Sequence, residues 1–523
     1  MSLRGRRTGL CGIALCVAML AACSAGPAGM QPRNGGTITV ALPSMPMTLN
    51  PLVSRDPVSE RAYTALFPLL FVAQPDLSAS PQLAAGAPSF GDGGLTITVN
   101  LRQDAHWSDG SPITANDVVF TVTTEMDPKL DALTPFTWAP LSSVTAVDAH
   151  TVRFTLSTAD AAFIADDLVT PIVPQHALAG VDPAHMADAA YSSEPSVTGG
   201  PFRFATRDAT SITLDASSSF FLGRPHADRV VERVVSGSIP ALLGEGQVSF
   251  DAQLSAADAA QGLISSGVGV QSFADPSFTA VQYNLRAGHA FAALATRQAF
   301  ADSIDHDALV SQVTGDDNDI PVWSDLDPSS WAFDSTAAPA HPRNAAAAAS
   351  LLGGAHPSAS LIYPDGDQLL ALAAAALVQQ ANAAGFALSA AATPPQEYAA
   401  ALQQGNFDAA LVTLPTGLDP DDSALLAPAG AENAGAYADP AVTALLSQEL
   451  SATGPSLGAL QQTRKPLFTK IERAVAGDLP LYFLWAPRHS VGFGATLGGV
   501  AGAGIQLDAD RDNTFYVNWF LTG

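Results

Sequence analysis

Two kinds of hydrophobic pattern follow each other along this chain, and their order constrains the fold more than any other feature. In the first half, short segments such as 37–42 and 95–101 alternate apolar and polar residues with the period of a β-strand. Beyond about residue 280, helical patterns such as 292–313 and 368–384 alternate with strands. The 523 residues exceed the ~250–300 that one hydrophobic core normally holds. We therefore predict several mixed α/β lobes instead of one sandwich or barrel.

The same two periodicities predict the remaining elements. The predicted strands are 144–148, 151–156, 211–215, 230–235 and 515–520, of which the first two form a hairpin. The predicted helices are 115–124, 344–352, 395–404, 440–449 and 457–475. We find no internal repeat in the sequence.

The N-terminus predicts export and a lipid anchor. Three arginines within the first seven residues precede the apolar run 10–20, which is shorter than the ~20 residues of a membrane-spanning helix. The run ends in the sequence LAAC, which resembles the lipobox of bacterial lipoproteins and has Cys23 as its cysteine. We predict a signal peptide at 1–22, lipidation of Cys23 and a flexible tether at 23–36. An ordinary secretory signal is the alternative.

Cysteine content and charge exclude several classes of protein. The other cysteines, Cys11 and Cys16, lie in the predicted signal peptide, so the mature chain would have no disulfide framework and no internal thiol nucleophile. A formal net charge of -26 repels phosphate backbones, which disfavours nucleic acid as a partner. We expect an extracytoplasmic protein held at the membrane by lipid, on the periplasmic side or at the cell surface.

A short motif near residue 110 combines a turn with the start of a helix. Residues 107–120 have the sequence WSDGSPITANDVVF, in which the Asp-Gly pair predicts a turn. Thr114, with Asp117 three residues later, predicts a capping box at the start of a helix. Trp107 is expected in the core of a lobe. We expect this motif to have a structural role without ligand contact.

This motif resembles the signature of family 5 extracellular solute-binding proteins. Other segments spread over residues 36–490 resemble the same family, namely PQLA at 81–84, PSVTGGPF at 195–202, Tyr283-Asn284, RQAF at 297–300, GNFD at 405–408 and LPLY at 479–482. The resemblance implies an α/β fold, a two-lobe periplasmic-binding-protein-like clamp of type II with an extra domain inserted in the first lobe. In this family an extended peptide lies between the lobes and is held by backbone hydrogen bonds.

The resemblance also implies a division of the chain into domains. The expected parts are lobe I at 37–54, 190–273 and 491–523, the inserted small domain at 55–189, and lobe II at 274–490.

One segment departs from the pattern of the peptide-binding members. These members commonly carry a tryptophan and then an aspartate upstream of an acidic-Pro pair, and the aspartate binds the α-ammonium of the peptide. Here the acidic-Pro pair is Asp419-Pro420, and the other two places fall near Thr413 and Thr416. A buried ammonium without its carboxylate is costly. Either Asp419 takes over this role, or the ligand is not a peptide with a free N-terminus.

The family pattern suggests which side chains lie near the cleft. The predicted ligand-binding residues are Met45, Met47, Phe136, Trp138, Thr413, Leu414, Asp419 and Trp485. Thioethers suit an adaptable pocket, Thr413 and Leu414 offer backbone groups, and Asp419 is a candidate cation partner or a helix cap. For the aromatic and methionine side chains, packing in a core is an equal alternative.

Several motifs of catalysis and of metal binding are missing from the sequence. It contains no H-E-x-x-H and no P-loop. Residues 508–512 begin like an EF-hand loop, but Asn513 stands where glycine is required and Trp519 replaces the bidentate glutamate. We predict that the protein is not an enzyme and has no cofactor and no metal site.

Together these features predict the substrate-binding lipoprotein of an ABC importer. The protein would be a monomer that captures peptides or peptide-like solutes between two lobes and delivers them to the permease subunits. A transport-uncoupled envelope scaffold or regulator with the same fold, or a binder of a non-peptide solute, is the alternative. A cleft without a cavity of ~300 Å³ or more would favour the scaffold.

Overall fold

The computed structural model describes residues 32–74, 76–134, 138–274, 277–315, 319–500 and 516–522. The predicted signal peptide, Cys23 and Phe136 lie outside this part of the chain. The strands are β1 Thr37–Leu42, β2 Phe71–Ala73, β3 Ala79–Pro81, β4 Ser89–Gly91, β5 Thr96–Asn100, β6 Leu141–Asp148, β7 Thr151–Leu156, β8 Phe202–Arg207, β9 Ser211–Ala216, β10 Arg229–Val234, β11 Phe250–Asp251, β12 Val268–Ala274, β13 Ser277–Tyr283, β14 Ile320–Pro321, β15 Ser358–Pro364, β16 Ala387–Thr393, β17 Ala409–Pro415, β18 Leu481–Ala486, β19 Arg488–Gly494, β20 Leu497–Gly498 and β21 Phe520–Leu521.

The helices are α1 Pro57–Thr64, α2 Ala115–Glu125, α3 Phe163–Asp166, α4 Gln175–Leu178, α5 Ala190–Ser193, α6 Ile239–Gly244, α7 Ala256–Ile264, α8 Leu294–Ser303, α9 His306–Thr314, α10 Ala345–Leu352, α11 Gln368–Ala383, α12 Pro395–Gln404, α13 Ser423–Leu426, α14 Pro440–Leu450 and α15 Leu457–Asp478. Among these helices, none is long and apolar enough to cross a membrane.

The first large sheet has seven strands in the order β12-β19-β11-β1-β10-β9-β8. Its central strand β1 pairs in parallel with β10 on one side and β11 on the other. The alternation that predicted this strand places Ile38 and Val40 in the core, where both are fully buried. The prediction for residues 37–42 is therefore confirmed.

The second large sheet has six strands in the order β14-β18-β13-β17-β15-β16. The strands β15, β16 and β17 are parallel, and α11 and α12 connect them in sequence as two βαβ units. A separate hydrophobic core packs on each face of this sheet, one around Tyr283 and Trp485 and the other around Phe278 and Phe483. The central strands β13 and β18 are buried along almost their whole length because both of their faces are covered.

A third, four-stranded sheet has the order β4-β5-β7-β6 and packs against α2. Its elements lie between β1 and β8 in sequence. The start of α2 confirms the predicted cap, because the carboxylate of Asp117 accepts a hydrogen bond from the backbone N–H of Thr114 at 2.8 Å. Trp107 is 1% exposed, as expected for a core residue, and Gly110 adopts the positive φ of 88° that the predicted turn requires.

Two chain crossings connect the large sheets and lie side by side. The chain passes from Ala274 at the end of β12 to Ser277 at the start of β13, and it returns from Ala486 in β18 to Arg488 in β19. Ala274 and Arg488 are paired across the first sheet, and β13 pairs with β18 in the second. Pro487 separates β18 from β19, and it has no N–H to extend the ladder. The strands that lead into and out of the two crossings are thus neighbours in both sheets.

Two predicted elements differ from the structure. The predicted helix 292–313 is two helices, because Ile304 adopts an extended backbone and buries its side chain completely between α8 and α9. The predicted strand 515–520 is also wrong over its described part. Tyr516 belongs to a short helical turn, and the strand consists of Phe520–Leu521. In both places packing into the core overrides the local period.

Candidate functional site

A cavity of about 400 Å³ opens between the second large sheet and α3. One wall consists of the end of β17, the loop after it and α13, together with residues 325–330. Leu77 and Asp166 form the opposite side. The lining residues include no lysine, arginine or histidine but seven acids, namely Asp166, Asp325, Asp327, Asp419, Asp421, Asp422 and Glu432. The cavity is therefore strongly acidic.

The loop after β17 docks against α3 and the turn between β2 and β3. Leu418 packs against Leu77 and Ala165 in a small hydrophobic cluster. The backbone N–H of Asp419 donates a hydrogen bond to Oδ1 of Asp166 at 2.9 Å. Enclosure by the protein and the negative charge of Asp419 raise the pKa of Asp166 well above its usual range. An apolar contact and a polar contact thus close one side of the cavity.

Arg464 on α15 binds two acids behind the cavity wall. Its guanidinium donates to both carboxylate oxygens of Asp419, at 2.6 and 2.5 Å, and donates twice to Oε2 of Glu449, at 2.9 and 2.6 Å. The exposed fractions are 2% for Arg464, 4% for Asp419 and 0% for Glu449. The guanidinium also lies over the ring of Phe468, at 5.1 Å from the ring centre. The charge of Asp419 is thus compensated inside the protein. We call these three residues the Arg464 triad.

Within the Arg464 triad, the two acids have different surroundings. Burial raises the pKa of Glu449 to about 9, with a further contribution from Asp421 and against the opposing effect of Arg464. Its Oε2 accepts both hydrogen bonds from Arg464, whereas Oε1 has no partner in the described part of the chain. With a proton on Glu449, the triad has one positive and one negative charge.

A second group of buried acids lies beside the same loop. Asp325, Asp422 and Glu472 each offer one carboxylate oxygen, and these oxygens lie within 4.8 Å of one another. Burial and the charge of Asp325 raise the pKa values of both Asp422 and Glu472 well above their usual range. No salt bridge to lysine, arginine or histidine compensates this group among the described residues. We call these three residues the acid cluster.

Of the predicted ligand-binding residues, the structure places Asp419 in the cavity lining. Thr413 and Leu414 lie on β17 just before the lining residues Pro415 and Thr416. The side chain of Thr413 is exposed, with its hydroxyl 3.0 Å from that of Thr279. Phe136 lies outside the described residues.

The other predicted ligand-binding residues lie away from the cavity. Trp485 is 1% exposed in a core of the second sheet. Trp138 is buried as well, and its indole N–H donates to Glu125 at 2.9 Å. Met45 packs against the largest core, and Met47 is 64% exposed in the loop after β1.

Sequence reasoning missed most of the acids that line or adjoin the cavity. The segments Ser324–Asp327 and Asp419–Asp422 are short acidic runs that resemble ordinary polar turns. Glu449, Arg464 and Glu472 lie on α14 and α15, whose patterns are those of amphipathic helices. The sequence signal that could have indicated these acids was the pair of acidic runs, together with one arginine and two glutamates at buried positions of α14 and α15.

The pattern G-x-S-x-G of a nucleophile elbow occurs at 454–458, although the sequence was expected to contain no such elbow. Ser456 is the N-cap of α15, and its hydroxyl accepts a hydrogen bond from the N–H of Ala459 at 3.2 Å. No strand precedes it directly, as the nucleophile elbow requires, because α14 comes before this segment. Its role here is that of a helix cap.

Comparison with known proteins defines the class to which this fold and cavity belong. The family of bacterial extracellular solute-binding proteins, family 5 (middle region), matches residues 78–436, more than half of the chain. The chain belongs to this family. Because the family consists of solute-binding proteins that act outside the cytoplasm, the predictions of a binding protein instead of an enzyme and of an extracytoplasmic location are confirmed.

Two curated relatives are similar over part of their length. The oligopeptide-binding protein AppA of Bacillus subtilis is 26% identical over 307 residues, which cover 58% of this chain and 56% of AppA. Protein XP55 of Streptomyces lividans is 36% identical over 183 residues, which cover 34% of this chain and 32% of XP55. The matches thus span about a third to just over half of these relatives.

Solved structures match almost the whole chain. The ABC transporter substrate-binding protein CtaP of Listeria monocytogenes has a TM-score of 0.76 at 23% identity, over 94% of this chain and 100% of CtaP. AppA, solved in complex with a nonapeptide, has a TM-score of 0.66 at 22% identity, over 94% of this chain and 100% of AppA. At these identities the matches show the fold, and they confirm the predicted α/β binding-protein fold.

Proposed function

We propose that this protein is the substrate-binding lipoprotein of an ABC importer and captures a peptide or peptide-like solute between its two lobes. The observation that carries the proposal is the acidic cavity at the end of β17, in a protein of a solute-binding family. Its relative AppA is described as an oligopeptide-binding protein, and CtaP as an ABC transporter substrate-binding protein. Ligand binding would draw the lobes together, because a ligand that contacts both favours the closed state.

The size of the cavity favours ligand capture over a scaffold role. At about 400 Å³ it exceeds the ~300 Å³ at the lower end of ligand pockets. A scaffold that had lost its ligand would be expected to fill this space with its own side chains.

We place the ligand along β17 and the loop after it. Thr413 and Leu414 precede the lining residues and offer backbone groups, and Thr416 lines the cavity where peptide-binding members commonly have an aspartate. Asp419 lines the cavity but already binds Arg464. A free ammonium of the ligand would therefore interact with the acidic lining as a whole, and not with one dedicated carboxylate.

The proposed membrane attachment is through lipid on Cys23. The three-arginine start, the apolar run and the LAAC sequence support it. A diacylglycerol at this position would keep the receptor beside its permease, since two acyl chains are sufficient for stable anchoring. Substitution Cys23→Ser should release the protein from the membrane fraction of expressing cells. A Cys23→Ser protein that stays membrane-bound would overturn the anchor.

Ligand capture is tested by native mass spectrometry of the purified full chain with a peptide library, in free and N-acetylated form. We expect a mass shift with some of these peptides and a higher melting temperature, which grows with ligand concentration. Comparison of free and acetylated peptides shows whether an N-terminal ammonium is required.

A cavity-filling variant provides the matched control. Thr416→Trp places a large ring in the cavity lining and should abolish the mass shift, while Gln379→Trp on the exposed face of α11 should leave it unchanged. No mass shift and no stabilisation with any peptide or cell-wall fragment would overturn the transport role.

A further inference from the structure

We propose that the acid cluster, Asp325, Asp422 and Glu472, is a binding site for a hard divalent cation, with Ca²⁺ as the ion that fits best. The site lies behind the wall of the cavity, which Asp325 and Asp422 also line. It shares Asp325 and Asp422 with the cavity lining, whereas Glu472 is not among the lining residues, and it goes beyond the proposed function.

The geometry of the donor atoms suits an ion of this kind. The three carboxylate oxygens lie within 4.8 Å of one another. Oxygens this close together can all bind one cation, and a site built from several protein oxygens suits Ca²⁺ better than Mg²⁺, which keeps several of its waters. All donors are oxygens, which hard cations prefer over transition metals that favour nitrogen or sulfur. The hydroxyl of Ser324, which donates to Glu472, is a further oxygen beside the cluster.

Unpaired oxygens provide an independent reason to expect a ligand here. Oδ2 of Asp325, Oδ2 of Asp422 and Oε1 of Glu472 have no hydrogen-bond partner in the described part of the chain. The exposed fractions of these residues are 5%, 8% and 3%. Buried carboxyl groups this close together keep protons, as the raised pKa values of Asp422 and Glu472 show, unless a cation replaces them. A cation shared by all three would provide the partner that each of these oxygens lacks.

A cation bound by the acid cluster would connect three separate segments of the chain. Asp325 lies in the segment between β14 and α10, Asp422 directly precedes α13, and Glu472 lies on α15. These three segments are far apart in sequence and meet behind the cavity wall. A cation bound by all three would fix the wall against which the solute is held.

The test is isothermal titration calorimetry of the metal-stripped full chain at pH 7.5 with CaCl₂, MgCl₂ and MnCl₂. We expect one Ca²⁺ per chain with a Kd of about 10⁻⁴–10⁻³ M, the range of extracellular calcium modules, and weaker binding of Mg²⁺. Ca²⁺ should also raise the melting temperature in the absence of peptide.

Two variants and one control separate the site from general acidity of the cavity. Asp422→Asn and Glu472→Gln should each weaken Ca²⁺ binding at least tenfold. Asp327→Asn, which changes another acid of the same lining, should change the affinity less than twofold. Far-UV circular dichroism of each variant checks that it is folded.

Two results would overturn the proposal. One is the absence of binding by the wild-type chain up to 10 mM of each ion, a limit of about ten times the weakest expected Kd. The other is equal loss of affinity in Asp327→Asn and Asp422→Asn, which would mean diffuse attraction by the cavity. Because the titration contains no peptide, either result leaves the proposed peptide binding untouched.

Discussion

The Arg464 triad and the acid cluster both bury carboxylates behind one wall of the cavity, yet only the triad contains its own cation. In the triad, a guanidinium binds Asp419 through two hydrogen bonds and contacts Glu449 as well. In the acid cluster, three carboxylates lie within 4.8 Å of one another without a basic partner in the described chain. The difference teaches that buried negative charge is stable only if something compensates it, either a residue of the protein or a species from solution.

The largest effect is expected from removing the internal cation. Arg464→Met should lower the free energy of unfolding by about 3–5 kcal/mol, because Asp419 then stays buried without a partner. Chemical unfolding followed by circular dichroism measures the loss. The triple variant Arg464→Met, Asp419→Asn, Glu449→Gln removes the charges together and should recover most of it. If Arg464→Met alone were as stable as wild type, the triad would need no cation.

The two acids of the triad should differ in importance. Asp419→Asn should cost about 1.5–3 kcal/mol, the value of hydrogen bonds to a charged group. Glu449→Gln should not lower the free energy of unfolding at pH 7, because a pKa of about 9 means that Glu449 takes up a proton on folding, whereas glutamine has the same shape and needs none. Unfolding curves of both variants at pH 7 test this order. Equal losses would contradict the different protonation of the two acids.

The raised pKa of Glu449 should also make stability depend on pH. Its pKa is about 9 in the folded state and 4.5 for a glutamate free in solution, so between these values the folded state holds a proton that the unfolded state has lost. The contribution is complete below about pH 4.5 and is lost as the pH rises toward 9, at about 1.4 kcal/mol per pH unit. Unfolding at pH 6, 7 and 8 measures the slope. Glu449→Gln should flatten it, whereas Glu397→Gln on the exposed side of α12 should not.

The smallest effect has the opposite sign and concerns the acid cluster. In the presence of a chelator at pH 8, Asp422→Asn should raise the free energy of unfolding by about 1 kcal/mol, because it removes one of three mutually repelling acids. With saturating Ca²⁺ the order should reverse, since the variant has lost a ligand. If Asp422→Asn is less stable than wild type in the presence of the chelator, the negative charge of the acid cluster is already compensated within the protein. The contrast with the Arg464 triad would then disappear.

The parts of the fold that depend on near neighbours in sequence could be predicted. The strand 37–42 has the predicted bounds, and Thr114 and Asp117 form the predicted cap, because these signals lie within a few residues of each other. The helix 292–313 was predicted as one element, since nothing local shows that Ile304 is drawn into the core.

The site could be predicted only in part, because its residues meet through the fold. Asp419 was identified from the acidic-Pro pair, but its partner Arg464 lies 45 residues away, on α15. Trp138 and Trp485 show the converse difficulty. An aromatic side chain suits a pocket and a core equally well, and both of these are buried in cores.

The paired crossings at Ala274–Ser277 and Ala486–Arg488 restrict how the two large sheets can move. Two short connections between paired strands favour rotation of one sheet relative to the other over sliding or twisting. The cavity wall carried by the second sheet would then return to the same position after every opening. Reproducible geometry of this kind would suit the proposed solute capture, because each bound molecule would be held in the same orientation.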